Sequence, residues 1–255
     1  MERFFKIVLS TLLITPLSQT TWAQANTTGI IEYEVTARVD AARMRAFSGG
    51  NTGGDGGEMP DVITFNQTFT FNNTMGKLET TRPGGRMRGN NNSGGNNEAT
   101  PRRRMGNNAT YIDLAHKQYL HVMGSPEDEQ KAWYTEEAYI IPTDATLSDK
   151  TKKIAGYTCK KATVKLKDET YTVWYTTGMP FSFSPLNGLL PDSTGVVLAA
   201  ESSKRAFNAK SVSLKPVADS ITALPSQAIK VSQDEMREIR RQNMDKLRKR
   251  QDQLQ

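Results

Sequence analysis

Between about residue 29 and residue 215 the chain alternates apolar and polar positions with a period of two. Gly29 to Val39 reads G-I-I-E-Y-E-V-T-A-R-V, with Ile31, Tyr33, Val35, Ala37 and Val39 on one face. Successive side chains of a strand point to opposite faces, so this pattern predicts a half-buried strand. Ile63 to Phe71 repeats it, with Ile63, Phe65, Phe69 and Phe71 on the apolar side. Shorter runs follow at Thr110–Leu114 and Gln118–Met123, with His116-Lys117 as the turn of a hairpin, and a longer one at Lys131–Ile141. Thr158–Leu166 and Thr170–Tyr175 are β-branched runs separated by Lys167-Asp168-Glu169, and Val196–Glu201 and Ala206–Lys215 close the series. About nine strands with almost no helix between them predict a mainly antiparallel, curved sheet or half-barrel.

Two stretches break the pattern. Residues 41–61 run into S-G-G-N-T-G-G-D-G-G-E-M-P-D, and residues 82–109 are rich in Gly, Asn and Arg. Neither holds enough apolar surface to offset the cost of ordering a chain, about 1–2 kcal/mol per residue. They are expected to be flexible insertions in a β domain spanning 26–231. At Ser232 the period changes. Ser232-Gln233-Asp234-Glu235 is a capping box, after which Met236, Ile239, Met244, Leu247 and Leu254 fall on one arc. A charged C-terminal helix over 232–255 is predicted.

Charge narrows the picture further. The net charge is +6, from 33 Lys and Arg against 27 Asp and Glu. Arg82, Arg86, Arg88, Arg102, Arg103 and Arg104 face only Glu98, so one insertion holds most of that excess. The start, Met1 to Lys6, is basic and is followed by an apolar run to Leu17 and by Thr21-Trp22-Ala23 and Ala23-Gln24-Ala25. The run falls short of the roughly 20 apolar residues a membrane span needs. It reads as a signal peptide over 1–25, which places the protein in the periplasm or outside the cell, with no transmembrane segment in the mature chain. One cysteine excludes an internal disulfide, and two histidines leave little for a histidine-rich metal site.

No G-x-S-x-G, P-loop or H-E-x-x-H motif occurs. The G-G-D-G-G run at 53–57 lacks both the following helix of a phosphate cradle and the carboxylates of a calcium loop. His121 and Met123 share a strand face and are the weak candidates for a copper site. Against them stands the ordinary reading as sheet residues, so no metal or other cofactor is expected. Cys159 is either a small buried hydrophobe or a reactive thiol. Arg102, Arg103 and Arg104 are candidates for an anionic surface, lipid included, against the plainer reading of a solvated loop. Nucleic acid is not expected, because no aromatic residues interleave with these arginines.

The segment Ile154 to Glu201 resembles a family. Ile154-Ala155-Gly156-Tyr157-Thr158-Cys159-Lys160-Lys161-Ala162 is similar to the I-x-G-Y-x-C-x-K-A strand of the GLPGLI proteins, secreted proteins of Gram-negative bacteria without an assigned activity. Val173-Trp174-Tyr175-Thr176, Met179-Pro180 and Ser184-Pro185 follow in that family's order. The naming motif is split: Gly188, Leu189 and Pro191 are separated from Gly195 by Asp192-Ser193-Thr194. The layout is also similar, at the level of fold, to periplasmic carriers whose curved sheet cups an acyl chain.

These readings converge on an exported, non-enzymatic β-sheet protein of the cell envelope that binds an apolar or lipid-like ligand or an envelope partner. Trp174, Tyr175, Phe181 and Phe183 are the expected ligand-binding residues, with Thr177–Thr194 lying over the rim of the sheet. The alternatives are an assembly protein acting through the C-terminal helix and Arg-rich loop, and a copper-handling or thiol-active protein.

Overall fold

The computed structural model describes residues 28–38, 61–81, 109–125, 128 and 130–252. The expected leader at 1–25, both Gly-rich insertions and Arg102–Arg104 lie outside the described residues, apart from the flanking Asp61 and Ala109.

Twelve strands form one sheet: β1 (Gly29–Arg38), β2 (Val62–Phe71), β3 (Met75–Thr81), β4 (Ala109–Asp113), β5 (Gln118–Gly124), β6 (Lys131–Ala138), β7 (Thr146–Ile154), β8 (Tyr157–Leu166), β9 (Glu169–Thr176), β10 (Val196–Glu201), β11 (Arg205–Leu214) and β12 (Gln227–Lys230). Among the described residues two helices follow β11: one turn, α1 (Asp219–Thr222), and the longer α2 (Gln233–Asp252). The spatial order is β12-β6-β5-β4-β3-β2-β1-β11-β10-β9-β8-β7. Two antiparallel meanders, β2–β6 and β7–β11, thus flank β1 as wings, and β12 joins β6 in parallel.

This order forces the sheet to coil. In a flat sheet β6 and β7, ten positions apart, would stand about 48 Å from each other at the usual strand spacing. Only residues 139–145 connect them, and such a link reaches no more than about 29 Å when extended. The wings must therefore curl toward each other. They meet at Gly188, where a Cβ would lie 2.7 Å from Leu166 Cδ1 at the end of β8 and 3.7 Å from Ile140 Cγ2 just after β6. The sheet stays open, as β6 and β7 do not pair.

The mainly β, curved antiparallel architecture is the expected one. Three strands were hidden in the sequence. In β3 only Leu78 is a buried large apolar residue, and Gly76 leaves room for the Phe69 ring. In β7, T-L-S-D-K-T-K-K-I is an edge strand that is exposed along nearly its whole length, and polar residues protect such edges from pairing with other chains. In β12 there are only four residues.

Among the described residues two apolar clusters hold the sheet. The larger fills the concave face with Tyr33, Phe69, Phe71, Ile112, Leu198 and Phe207 among others. The smaller lies on the outer face of β4–β6, where Tyr111, Leu120, Val122 and Ala132 are covered by Leu224 and Ala228 from the chain around α1 and β12. Burial on both faces explains why β5 does not alternate cleanly. Asn72 Nδ2 anchors the covering segment by donating to Asp219 Oδ1 and Thr222 Oγ1, both at 2.9 Å. The capping box forms at α2: Glu235 N donates to Ser232 Oγ at 3.2 Å, and Glu235 Oε2 accepts from Ser232 N at 2.8 Å. Among the described residues of the helix Met236 is buried, and the helix rests against β6.

Candidate functional site at the seam of the coiled sheet

The segment between β9 and β10 does not lie over the rim. It folds into the concave face and fills it. Met179, Phe183, Leu189 and Leu190 are buried there. Phe183 stacks flat on Phe69, with ring centroids 3.6 Å apart and planes within 3°. Phe181 tilts against Phe71 at 4.6 Å. Three tyrosine hydroxyls pin the segment and its exit strand: Tyr33 Oη donates to Val197 O, Tyr119 Oη to Ser184 O and Tyr139 Oη to Ser182 O, at 2.7–2.8 Å. Burial pushes all three phenols above their ordinary range, so they remain donors.

The four expected ligand-binding residues therefore lie in or against the core, and none of them lines an open pocket described below. Phe183 and Tyr175 belong to the core, and Phe181 packs against it. Trp174 is also partly buried against that core and carries the Lys152 ammonium 5.9 Å from its ring centre. The GLPGLI-like residues also have structural work. Gly188 and Gly195 have φ of +94° and +108°, in the region that favours glycine. Leu189 and Pro191 are buried beside them.

His121 and Met123 share a face of β5 as expected, but their fates differ. Met123 is buried, whereas His121 Nε2 lies 3.1 Å from Glu137 Oε2 on β6. His116 is held in the β4–β5 turn by Asp113, with Nδ1 and Oδ2 2.8 Å apart, and stays away from His121. Among the described residues no group of three His, Cys, Asp or Glu side chains is placed to hold a metal ion. Cys159 is fully buried, and burial raises its thiol pKa to about 11. This corrects the reactive-thiol reading. A maleimide reagent is expected to label the native protein only as fast as the fold opens, and rapid labelling under native conditions would contradict this.

The open cleft lies elsewhere, at the seam where the wings approach. It measures about 760 Å³, a size suited to a small organic ligand. One wall carries Tyr119, His121 and Glu137 from β5 and β6; the other carries Asp168 from the β8–β9 turn, Glu169 at the start of β9, Lys204 from the β10–β11 turn and Arg205 at the start of β11, and Ala37, Arg38, Gln67, Leu78 and Thr110 of β1 to β4 also line it. Pro185, Leu186 and Asn187 of the filling segment lie between them. The cleft's planar side chains are fixed in place. Glu137 Oε1 accepts from Asn187 Nδ2 at 2.9 Å while Oε2 meets His121. Asn187 Nδ2 also donates to Ala138 O, and Asn187 Oδ1 accepts from Ile140 N at 2.9 Å. Glu169 accepts from Ser202 Oγ at 2.7 Å and pairs with Lys204 at 3.1 Å, and these contacts hold its carboxyl below the usual range. A second pocket of about 530 Å³ shares Gln67, Pro185, Leu186 and Arg205 and adds Phe65, Thr80 and Phe207.

Sequence reasoning missed Gln67, Glu137, Asn187 and Arg205. One signal was available. In the β5–β6 hairpin Tyr119 stands opposite Glu137, which places His121 on the diagonal within reach of that carboxylate.

A β domain with this coiled sheet and seam cleft has relatives. Residues 96–247, more than half of the chain, match the family described as "N-glycanase peptide, N-terminal domain". The chain belongs to that N-glycanase N-terminal domain family. The family that matches is thus not the GLPGLI family that Ile154–Glu201 resembles. No curated protein matches the chain. Among solved structures, it is similar to PNGF-II in two crystal forms: one at 16% identity with a TM-score of 0.51, covering 84% of this chain and 33% of that one, the other at 15% identity and 0.53, covering 83% and 32%. At that identity the likeness is one of fold, and this chain spans about a third of the length of the structures it matches.

The expectation of an envelope protein that binds a lipid or apolar ligand is overturned on both grounds. The family is that of a glycanase domain. The apolar concavity an acyl chain would need is occupied by the protein's own Phe183, Leu189 and Leu190. No helix among the described residues is long and apolar enough to cross a membrane.

Proposed function

We propose that this chain is a glycan-recognition domain of an exported N-glycanase-type system, which holds the carbohydrate part of a glycoprotein for a separate catalytic unit. The family match over 96–247 carries this reading. The seam cleft supports it: hydroxyl-rich ligands are bound by planar amides, carboxylates and guanidinium groups beside aromatic rings, and that is how the cleft is lined. The domain's GLPGLI-like stretch, Ile154–Glu201, is read here as the scaffold that fills the sheet and positions Asn187. The leader at 1–25 fits export of such a protein.

The test is binding of the full chain to an N-glycosylated protein and to the same protein after enzymatic removal of its glycans. Retention of the glycosylated form and loss of binding after removal are expected. Equal binding to both forms, or to neither, overturns the reading. Release of free glycan by the chain alone would place the catalytic step in this chain and overturn the assignment to a separate unit.

A further inference from the structure

We propose that the free edge of β7 is a docking site for an acidic, extended segment of a partner protein, which pairs with it as a further strand of the sheet.

β7 ends the strand order and pairs with β8 alone. Its other edge carries backbone N–H and C=O groups that no strand among the described residues takes up, and an extended chain can add to such an edge. The opposite end of the sheet offers less, because β12 has only four residues and α2 follows closely. β7 has nine residues and is exposed at nearly every position from Thr146 to Lys153. None of them lines the seam cleft. The register against β8 shifts between Ser148 and Thr151 and is regular from Thr151 to Ile154. A bulge bends the strand that holds it. The regular stretch is therefore the part that takes a partner, just as four residues of β12 pair with β6.

Charge decides which chain can add there. β7 and β8 together hold six lysines, Lys150, Lys152, Lys153, Lys160, Lys161 and Lys165, against Asp149 alone. None of the six enters an ion pair among the described residues. Lys152 lies over the Trp174 ring, and Lys161 stands opposite Trp174 in the neighbouring pair of strands. Successive side chains alternate, so Lys152 and Lys153 stand on opposite faces of the regular stretch. A strand laid beside β7 meets an ammonium group on each face. A second copy would bring the same lysines against one another, and a basic segment would do likewise; like charges across a strand pair are destabilising. An acidic segment makes opposite-charge pairs at those positions instead. The lysines that keep further copies away from this edge thus admit one class of chain. Their ammonium groups are hydrated and need no partner. They select it and speed its arrival, while the backbone edge supplies the binding.

The experiment is titration of the full chain with a blocked decapeptide of alternating Glu and Val, and with its counterpart of alternating Lys and Val, while amide hydrogen exchange of β7 is followed. The acidic peptide is expected to bind at least about tenfold tighter than the basic one, and more weakly as salt is raised. It should slow exchange at alternate amides of Thr151–Ile154, the signature of strand pairing. The double variant Lys152→Glu/Lys153→Glu should lose about tenfold or more in affinity for the acidic peptide and gain affinity for the basic one. Lys153→Glu alone keeps Lys152 on Trp174 and should move both affinities in the same directions by a smaller factor. Thermal unfolding is measured on both variants. No binding of the acidic peptide, or equal affinity for the two peptides, overturns the proposal. So does unchanged affinity in the folded variants. Binding without protection of the β7 amides overturns it as well, since the lysines then act as a plain polyanion surface. Self-association of the chain that protects the same amides without peptide assigns the edge to a second copy and also overturns it. Glycan binding at the seam cleft is untouched by each of these outcomes.

Discussion

Phe183→Ala lowers the unfolding free energy by about 3–5 kcal/mol, the cost of removing a large buried aromatic side chain whose cavity cannot fully collapse. Phe183 is fully shielded from solvent, lies flat on Phe69 at 3.6 Å, and sits 6.3 Å from the Tyr33 ring. Its backbone is fixed as well: Phe183 N donates to Gly195 O at 3.0 Å and Val197 N donates to Phe183 O at 2.9 Å. With the backbone held from both sides, the strands cannot close over the lost ring. Denaturant unfolding followed by tryptophan fluorescence measures the loss. Phe181→Ala should cost clearly less, because that ring is only partly buried. A Phe183→Ala protein as stable as the parent would mean that the segment is a detachable cover and the concave face an accessible cup. Because Phe183 does not line the seam cleft, the variant that remains folded at low temperature should still bind the N-glycosylated protein.

Gly195→Ala is the second large effect, expected to destabilise by about 1–3 kcal/mol. At φ +108° an L side chain is strained, and the new Cβ would lie 2.9 Å from the backbone oxygen of Thr176. Thr176 is itself paired in the sheet opposite Val196, so this oxygen cannot retreat without opening the β9–β10 ladder. Gly188→Ala makes an informative partner. Its φ is +94°, but the nearest atom is Leu166 Cδ1 at 2.7 Å, the free end of a side chain that can swing away. The expected order of destabilisation is Gly195→Ala above Gly188→Ala, read from unfolding midpoints under one set of conditions. The reverse order would mean that closeness of the wings at Gly188, rather than the β9–β10 return, limits the fold. If neither variant changes stability, the GLPGLI-like glycines do not serve the backbone role that their φ values define.

The strands that face one apolar cluster and one solvent side were legible, because alternation records a single buried face. β1 is the example, with Ile31, Tyr33 and Val35 inward and Glu32 outward. The capping box before α2 was equally legible, since it needs only residues three apart. Where burial comes from two sides, or from none, the pattern fails. β5 is covered on both faces, and β7 is exposed on both. The Lys131–Ile141 run reads as one strand in the sequence, yet pairing ends at Ala138. There Tyr139 N turns to Lys117 O and Ile140 N to Asn187 Oδ1, partners that no local pattern announces.

The candidate site shows the same division more sharply. Gln67, Glu137, Asn187 and Arg205 come from β2, β6, the filling segment and β11, and apart from the hairpin register that sets Glu137 near His121 nothing in their own neighbourhoods marks them. The aromatic residues that looked functional, Phe181, Phe183 and Tyr175, are conspicuous because they are large and apolar, and the same property draws them into the core. By itself the amino-acid order determined the class of fold, the period-two faces, the helix start and the confinement of the excess positive charge to one insertion. Only the tertiary structure decided whether the curved sheet is hollow or filled and where its polar cleft opens. The physical reason is that alternation is a local property of each strand, the same for a filled core as for an open cup. The coil that brings β6 toward β7 is imposed instead by strand order and a short connection, and that coil gathers the cleft's residues from distant parts of the chain.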